Sequence, residues 1–384
     1  MQSERSLYLH YLRFVCALIV CLGHTKEFLF LHMDESANFL EKVTRLFLGL
    51  GQSAVLVFFY LSGYLVGGNE LVNLVEKKLN FKNYIFNRLT RLWIVLLPAL
   101  LWTFALNAFT CRNSRRSLYC AADSALASHT KVPPLNSQSF SDFLSNVFFL
   151  QPFKGTQWGG NGPLSSLSYE FWYYLVFFCI LNVLASVLNR KISVSLIPNL
   201  LILFIASRML NSDWLNLGIV WLSGACASYF LKIDSVIEIT SKYQKRLSFK
   251  FILLTSILIF PTLILLKVFP HIFSFPIAIL LLTFSISITQ NENAIQYRNF
   301  MRKSIVRGSE YSFSLYLTHF PLIALLTSLF VPEHRWRMTP FGILILMLLT
   351  LGAQLTAYAF AWLTEFNLTP VRTALRSRLP RLLL

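Results

Sequence analysis

LYLHYLRFVCALIVCLGHTKEFLFL, from Leu7 to Leu31, decides how this chain is read. The stretch is long and apolar enough to span a bilayer as a helix. It nevertheless carries Arg13, His24, Lys26 and Glu27. An ionisable side chain is costly in lipid unless it faces protein or water. Arg13 and His24 are eleven residues apart, which at about 100° per residue is three turns plus roughly 20°. They fall on one helix face, about 16 Å apart along the axis. Glu27 falls within about 40° of Arg13 on that face, and Lys26 points elsewhere. A cation, a titratable base and a carboxylate on one face read as a site built across a membrane.

Composition extends this reading to the whole chain. Of 384 residues, 55% are hydrophobic and 13% are charged, about half the charged share of a soluble domain. Mean hydropathy is +0.57. The expected fold is all-α: a polytopic transmembrane helix bundle forming a single integral membrane domain over residues 1–384. Ten spans are predicted, at about 7–31, 45–67, 92–109, 164–188, 193–209, 214–231, 250–267, 272–289, 311–330 and 340–363. The first segment lacks a small-residue cleavage site and reads as a retained helix. The 35 Phe, 15 Tyr and 8 Trp suit lipid-facing surface and interfacial belts.

The net charge of +17 raises the question of nucleic acid, but its distribution favours positive-inside loops. Lys77, Lys78, Lys82, Arg88 and Arg91 fall on one side. Arg190 with Lys191, the cluster Lys242–Lys250, the cluster Arg298–Arg307 and the tail Arg372–Arg381 fall there too. Both termini are thereby predicted to be cytoplasmic, with residues 364–384 as a basic cytoplasmic tail. Residues 110–163 form the longest external loop, and a loop of that length is usually functional. It contains Cys111 and Cys120, which either pair in an oxidising compartment or stay as thiols. Cys16, Cys21, Cys179 and Cys226 lie in spans and read as packing residues.

Several side chains are candidates for chemistry. His24 titrates near neutral pH and suits a general base; Glu27, at i+3, either fixes its tautomer or forms an ion pair near the outer interface. In FFYLSGYLVGG, Ser62 and Gly63 permit close approach, either of a neighbouring helix or of a ligand to the backbone. Arg88 and Arg91 share a face in a basic amphipathic stretch and suit phosphate, in a ligand or in anionic lipid. Glu170 is an intramembrane carboxylate, functional by default. His319 precedes Phe320-Pro321, where proline loosens the backbone ladder and polar groups need partners. The seven histidines are scattered, with no metal-ligand spacing.

These pieces, in this order, resemble the acyltransferase-3 family of membrane O-acyltransferases, in particular bacterial members that acetylate surface polysaccharide. LRFVCALIVCLGH resembles the first-helix signature, an arginine and a histidine with ten residues between. FFYLSGYLVG resembles the second-helix serine–glycine signature, and Arg88 with Arg91 the arginine-x-x-arginine element. GPLSSLSYEFWYYL resembles the fourth-helix signature, Glu170 and Tyr174 matching its glutamate and tyrosine. EYSFSLYLTHFPL resembles the late tyrosine–serine–leucine–histidine element. Ser165 stands where that fourth-helix signature usually has tryptophan, and Phe171 and Trp172 replace a polar pair.

The resemblance implies a cytoplasmic acyl-CoA donor, usually acetyl-CoA, and a glycan hydroxyl as acceptor on the far side of a bacterial inner membrane. It implies catalytic roles for His24 and Glu170, to which the spacing adds Glu27 as a candidate. Arg13, Ser62, Gly63, Arg88 and Arg91 would hold the donor, and Tyr174 and His319 the acceptor. Membrane lipids, acyl-CoA and the glycan are the expected partners; no metal and no nucleic acid are expected. A transporter or flippase of a lipid-linked sugar, with the charged face as a polar pathway, is the alternative, although no internal repeat is visible. A non-catalytic membrane scaffold is a third reading.

Overall fold

A computed structural model of the protein describes residues 4–31, 39–113, 139–153, 155–190, 194–232, 299–330 and 335–378. Among them the regular elements are helical: α1 (Glu4–Leu29), α2 (Phe39–Leu48), α3 (Gly51–Ser62), α4 (Gly68–Val75), α5 (Phe81–Asn113), α6 (Phe140–Val147), α7 (Pro163–Leu188), α8 (Ile197–Ser207), α9 (Ser212–Phe230), α10 (Asn299–Glu310), α11 (Ser312–Phe330), α12 (Pro340–Leu363) and α13 (Leu368–Arg378). Six segments in the described residues are long and apolar enough to cross a membrane. The expected spans at 250–267 and 272–289 lie outside the described residues. The same holds for Cys120 and for the side chain of Cys111.

Three boundaries differ from the sequence expectation. The second span is composite: α3 runs through a π-helical turn, Gly63–Gly67, into α4. The basic stretch before the third span is largely the beginning of α5 itself, because Phe81 to Asn113 form one helix. Hydropathy missed this because lysines, asparagines and arginines lower the average without interrupting the backbone hydrogen bonds. Residues 110–163, expected as one external loop, also contain α6 and a 3₁₀ turn at Trp158–Gly160.

The described chain groups into two compact units, residues 1–16, 52–81 and 170–309, and residues 17–51, 82–169 and 310–384. In the first, the π turn and its flanking helices lie against α9. Their backbones approach so closely that only glycine fits. A Cβ on Gly63 would stand 1.8 Å from the Trp221 carbonyl oxygen, and one on Gly224 would stand 2.1 Å from that of Tyr60. Small residues at such crossings give the dispersion contact that associates helices in lipid. Aromatic packing continues the seam, with the Phe177 and Trp221 rings 4.9 Å apart. The Tyr173 hydroxyl donates to the Trp214 carbonyl at 2.5 Å.

In the second unit α11 and α12 pack together, and the chain before α12 is fastened to the end of α1. Trp336 N–H donates to Leu29 O at 2.9 Å, and Leu31 N–H donates to Trp336 O at 3.0 Å. Leu29, Phe30 and Leu346 are buried there together. Thr339 caps α12 by accepting from Gly342 N–H, with Pro340 in the first turn, where its missing N–H costs nothing. The segment before α7 is anchored on α5: Trp158 Nε1–H donates to Leu100 O at 3.0 Å, and Asn107 Nδ2–H to Gly159 O at 2.9 Å. Gly159 and Gly160 take φ of 59° and 71°, the left-handed region that glycine enters without strain.

Candidate active site

His24 lies on α1 within the second unit, half-buried, with no hydrogen bond to its ring among the described residues. Its ring centroid is 5.3 Å from that of His319 and 5.1 Å from that of Phe320, the latter edge-on. Phe28, one turn along α1, meets Phe320 in the same way at 5.1 Å. The two histidines, remote in sequence, are therefore neighbours.

Pro321 explains part of this arrangement. It has no N–H, so the carbonyl four residues earlier, Leu317 O, loses its helical donor. Asn161 supplies one: its Nδ2 donates to Leu317 O at 2.9 Å and to Thr103 Oγ1 at 3.2 Å. His319 Nδ1 lies 2.7 Å from Leu315 O. A carbonyl only accepts, so Nδ1 carries a proton, and in the neutral ring Nε2 presents a lone pair. That Nε2 is buried and has no partner among the described residues. The Tyr316 ring centroid is 6.3 Å from that of His319, and the Tyr316 hydroxyl is 2.6 Å from Ser166 Oγ.

Glu27 is not hydrogen-bonded to His24. It pairs with Lys26 at 2.7 Å, and its side chain is 45% exposed. Its charge nevertheless acts on His24 and on Arg335. Arg335, which nothing in the sequence singled out, is buried beside the end of α1. Its Nε and Nη2 have no hydrogen-bond partner among the described residues. Burial pulls this guanidinium below its ordinary value while the Glu27 carboxylate works in the other direction.

Ser62, Glu170 and Tyr174 are brought together in the first unit. Ser62 Oγ–H donates to Glu170 Oε1 at 2.6 Å, and the Tyr174 hydroxyl donates to the same oxygen. Trp221 Nε1–H donates to Ser62 Oγ at 3.2 Å, a contact the sequence could not indicate because the partners are 159 positions apart. Gly63 is occupied by the close approach of Trp221 described above. Arg13 belongs to the same unit and is half-buried on α1.

Arg88 and Arg91 on α5 belong to a larger basic cluster. Arg372 on α13 lies close enough to Arg88, Arg91 and Arg376 for their charges to repel. The cluster is held by neutral acceptors on α5: Arg372 Nε–H donates to Thr90 Oγ1 at 3.2 Å and Nη2–H to Asn87 O at 3.1 Å, while Arg376 Nη2–H donates to Asn87 Oδ1 at 3.2 Å. Arg376 also lies over the Phe86 ring and Arg88 over the Tyr84 ring. A guanidinium set among three others suits a polyanion, with forked donors matched to carboxylate or phosphate oxygens. Among the described residues no three His, Cys, Asp or Glu side chains are grouped as a metal site would need.

No curated protein and no solved structure matches this sequence. A family model described as an acyltransferase domain matches residues 6–362, nearly the whole chain. That match, with the apolar helices and the motifs now placed on them, makes this chain a member of the acyltransferase-3 family and a membrane acyltransferase.

Proposed function

We propose that the protein moves an acetyl group from cytoplasmic acetyl-CoA to a hydroxyl of an extracytoplasmic glycan, such as O-antigen or lipopolysaccharide, in the bacterial inner membrane. The observation that carries this reading is His24. It is an ionisable ring on a membrane helix of an acyltransferase, free of hydrogen bonds to described residues and set beside a second imidazole. His24 accepts the proton of the acceptor hydroxyl as that oxygen attacks the thioester carbonyl. The C–O bond forms, the C–S bond breaks, and the proton passes to the departing CoA thiolate.

Arg88 and Arg91, joined by Arg372 and Arg376, hold the anionic end of CoA on the positive-inside face, and Arg13 lies along the route of the pantetheine arm. Ser62, Glu170 and Tyr174 act as a positioning network, since one carboxylate oxygen already takes two hydroxyl donors. The test is transfer of radiolabelled acetyl from acetyl-CoA to glycan by purified, reconstituted protein. His24→Ala abolishes transfer while expression and folding persist. Near-normal transfer by that variant removes His24 from the chemistry. Glycan movement across the bilayer without acetylation would instead indicate a transporter.

A further inference from the structure

Arg335 is a buried charged group that the reaction above does not use. Its exposure is 6%. Leaving buried charged donors unbonded costs much of their desolvation penalty, so such groups call for an explanation. Nε–H and Nη2–H point in parallel from one edge of the guanidinium, the edge that takes both oxygens of a carboxylate or phosphate side by side. In Arg335 those are the two nitrogens without partners among the described residues. Glu27 forms its ion pair with Lys26 instead.

The place of the Arg335 backbone is fixed. Residue 336 is tied to Leu29 and Leu31 by two backbone hydrogen bonds, so Arg335 stands at the last turn of α1. His24 is five residues earlier, about 7.5 Å along the helix axis. The Glu27 charge acts on both groups.

We propose that Arg335 binds an anionic group of the acceptor, a sugar carboxylate or phosphate, through its Nε–Nη2 edge, and so presents a neighbouring hydroxyl to His24. This deepens the acetyl-transfer reading by naming an acidic acceptor, and its binding test stands independently of catalysis. The full chain in nanodiscs of phosphatidylcholine is heated with glucuronate, glucose 1-phosphate or glucose. At least one anion raises the unfolding temperature and glucose does not. A response to glucuronate assigns the carboxylate, and one to glucose 1-phosphate assigns the phosphate. Arg335→Gln abolishes the response, and Arg335→Lys, which keeps the charge but not the fork, needs roughly tenfold more anion.

In transfer assays Arg335→Gln raises the KM for an acidic acceptor about tenfold or more and leaves that for acetyl-CoA unchanged. The proposal is overturned if neither anion stabilises the wild type, or if Arg335→Gln responds as the wild type does. Should Arg335→Gln fail to fold, Arg335→Lys decides: an undiminished response overturns the fork. Anion binding without any acetyl transfer would refute the reaction while leaving this site in place.

Discussion

Gly63→Ala puts a methyl group into the tightest helix crossing of the described residues. The added Cβ would lie 1.8 Å from the Trp221 carbonyl oxygen, whereas ordinary contact begins at 3.4 Å, so one backbone must retreat by about 1.6 Å. The obstacle is main chain and cannot rotate away. Movement there also draws Trp221 Nε1 from Ser62, whose hydroxyl holds Glu170. Overpacking costs about 1–3 kcal/mol, and a backbone collision belongs at the upper end, near 3 kcal/mol. The buried thiols Cys16, Cys21 and Cys179 supply the assay, because a thiol-reactive fluorophore labels them only on unfolding. Gly63→Ala unfolds several degrees below the wild type and loses activity. Gly352→Ala is the control: its Cβ would meet nothing within 4 Å, and alanine is the better helix residue by about 0.5–1 kcal/mol. An unchanged unfolding temperature for Gly63→Ala would refute the close-approach argument.

Two further outcomes follow from the charged groups. Arg372→Ala with Arg376→Ala raises the KM for acetyl-CoA about tenfold, an effect that shrinks as salt rises, and leaves the acceptor KM in place; steady-state kinetics at two ionic strengths check this. Hydrogen bonds, chiefly from the Ser139 hydroxyl, hold the Asp142 carboxyl below its ordinary value of 3.8. A depressed acid stabilises above its unfolded value and loses that contribution as pH falls through the folded one. Asp142→Asn therefore speeds amide exchange at Thr156, whose N–H donates to Asp142, at neutral pH, and the difference from wild type vanishes in strong acid.

Membrane helices are legible in sequence because lipid forces each span to satisfy its own backbone and to present a long apolar run. Leu7–Leu31 therefore announced a helix, and Arg13 and His24 marked it as a candidate site; the family was legible through resemblance to its signatures. Spacing also showed that Pro321 would free a carbonyl, though not that Asn161 would bond to it. What only tertiary structure decided is which distant groups meet. His24 beside His319, Trp221 on Ser62, Arg372 beside Arg88 and Arg335 at the end of α1 are pairings of residues far apart in the chain, Trp221 and Ser62 being 159 positions apart. Hydropathy and helical period describe one segment at a time and contain no term for its neighbour. Arg335 shows this best: in sequence it is one more loop cation, and only its burial, with one edge of its fork unbonded, makes it a candidate binding group.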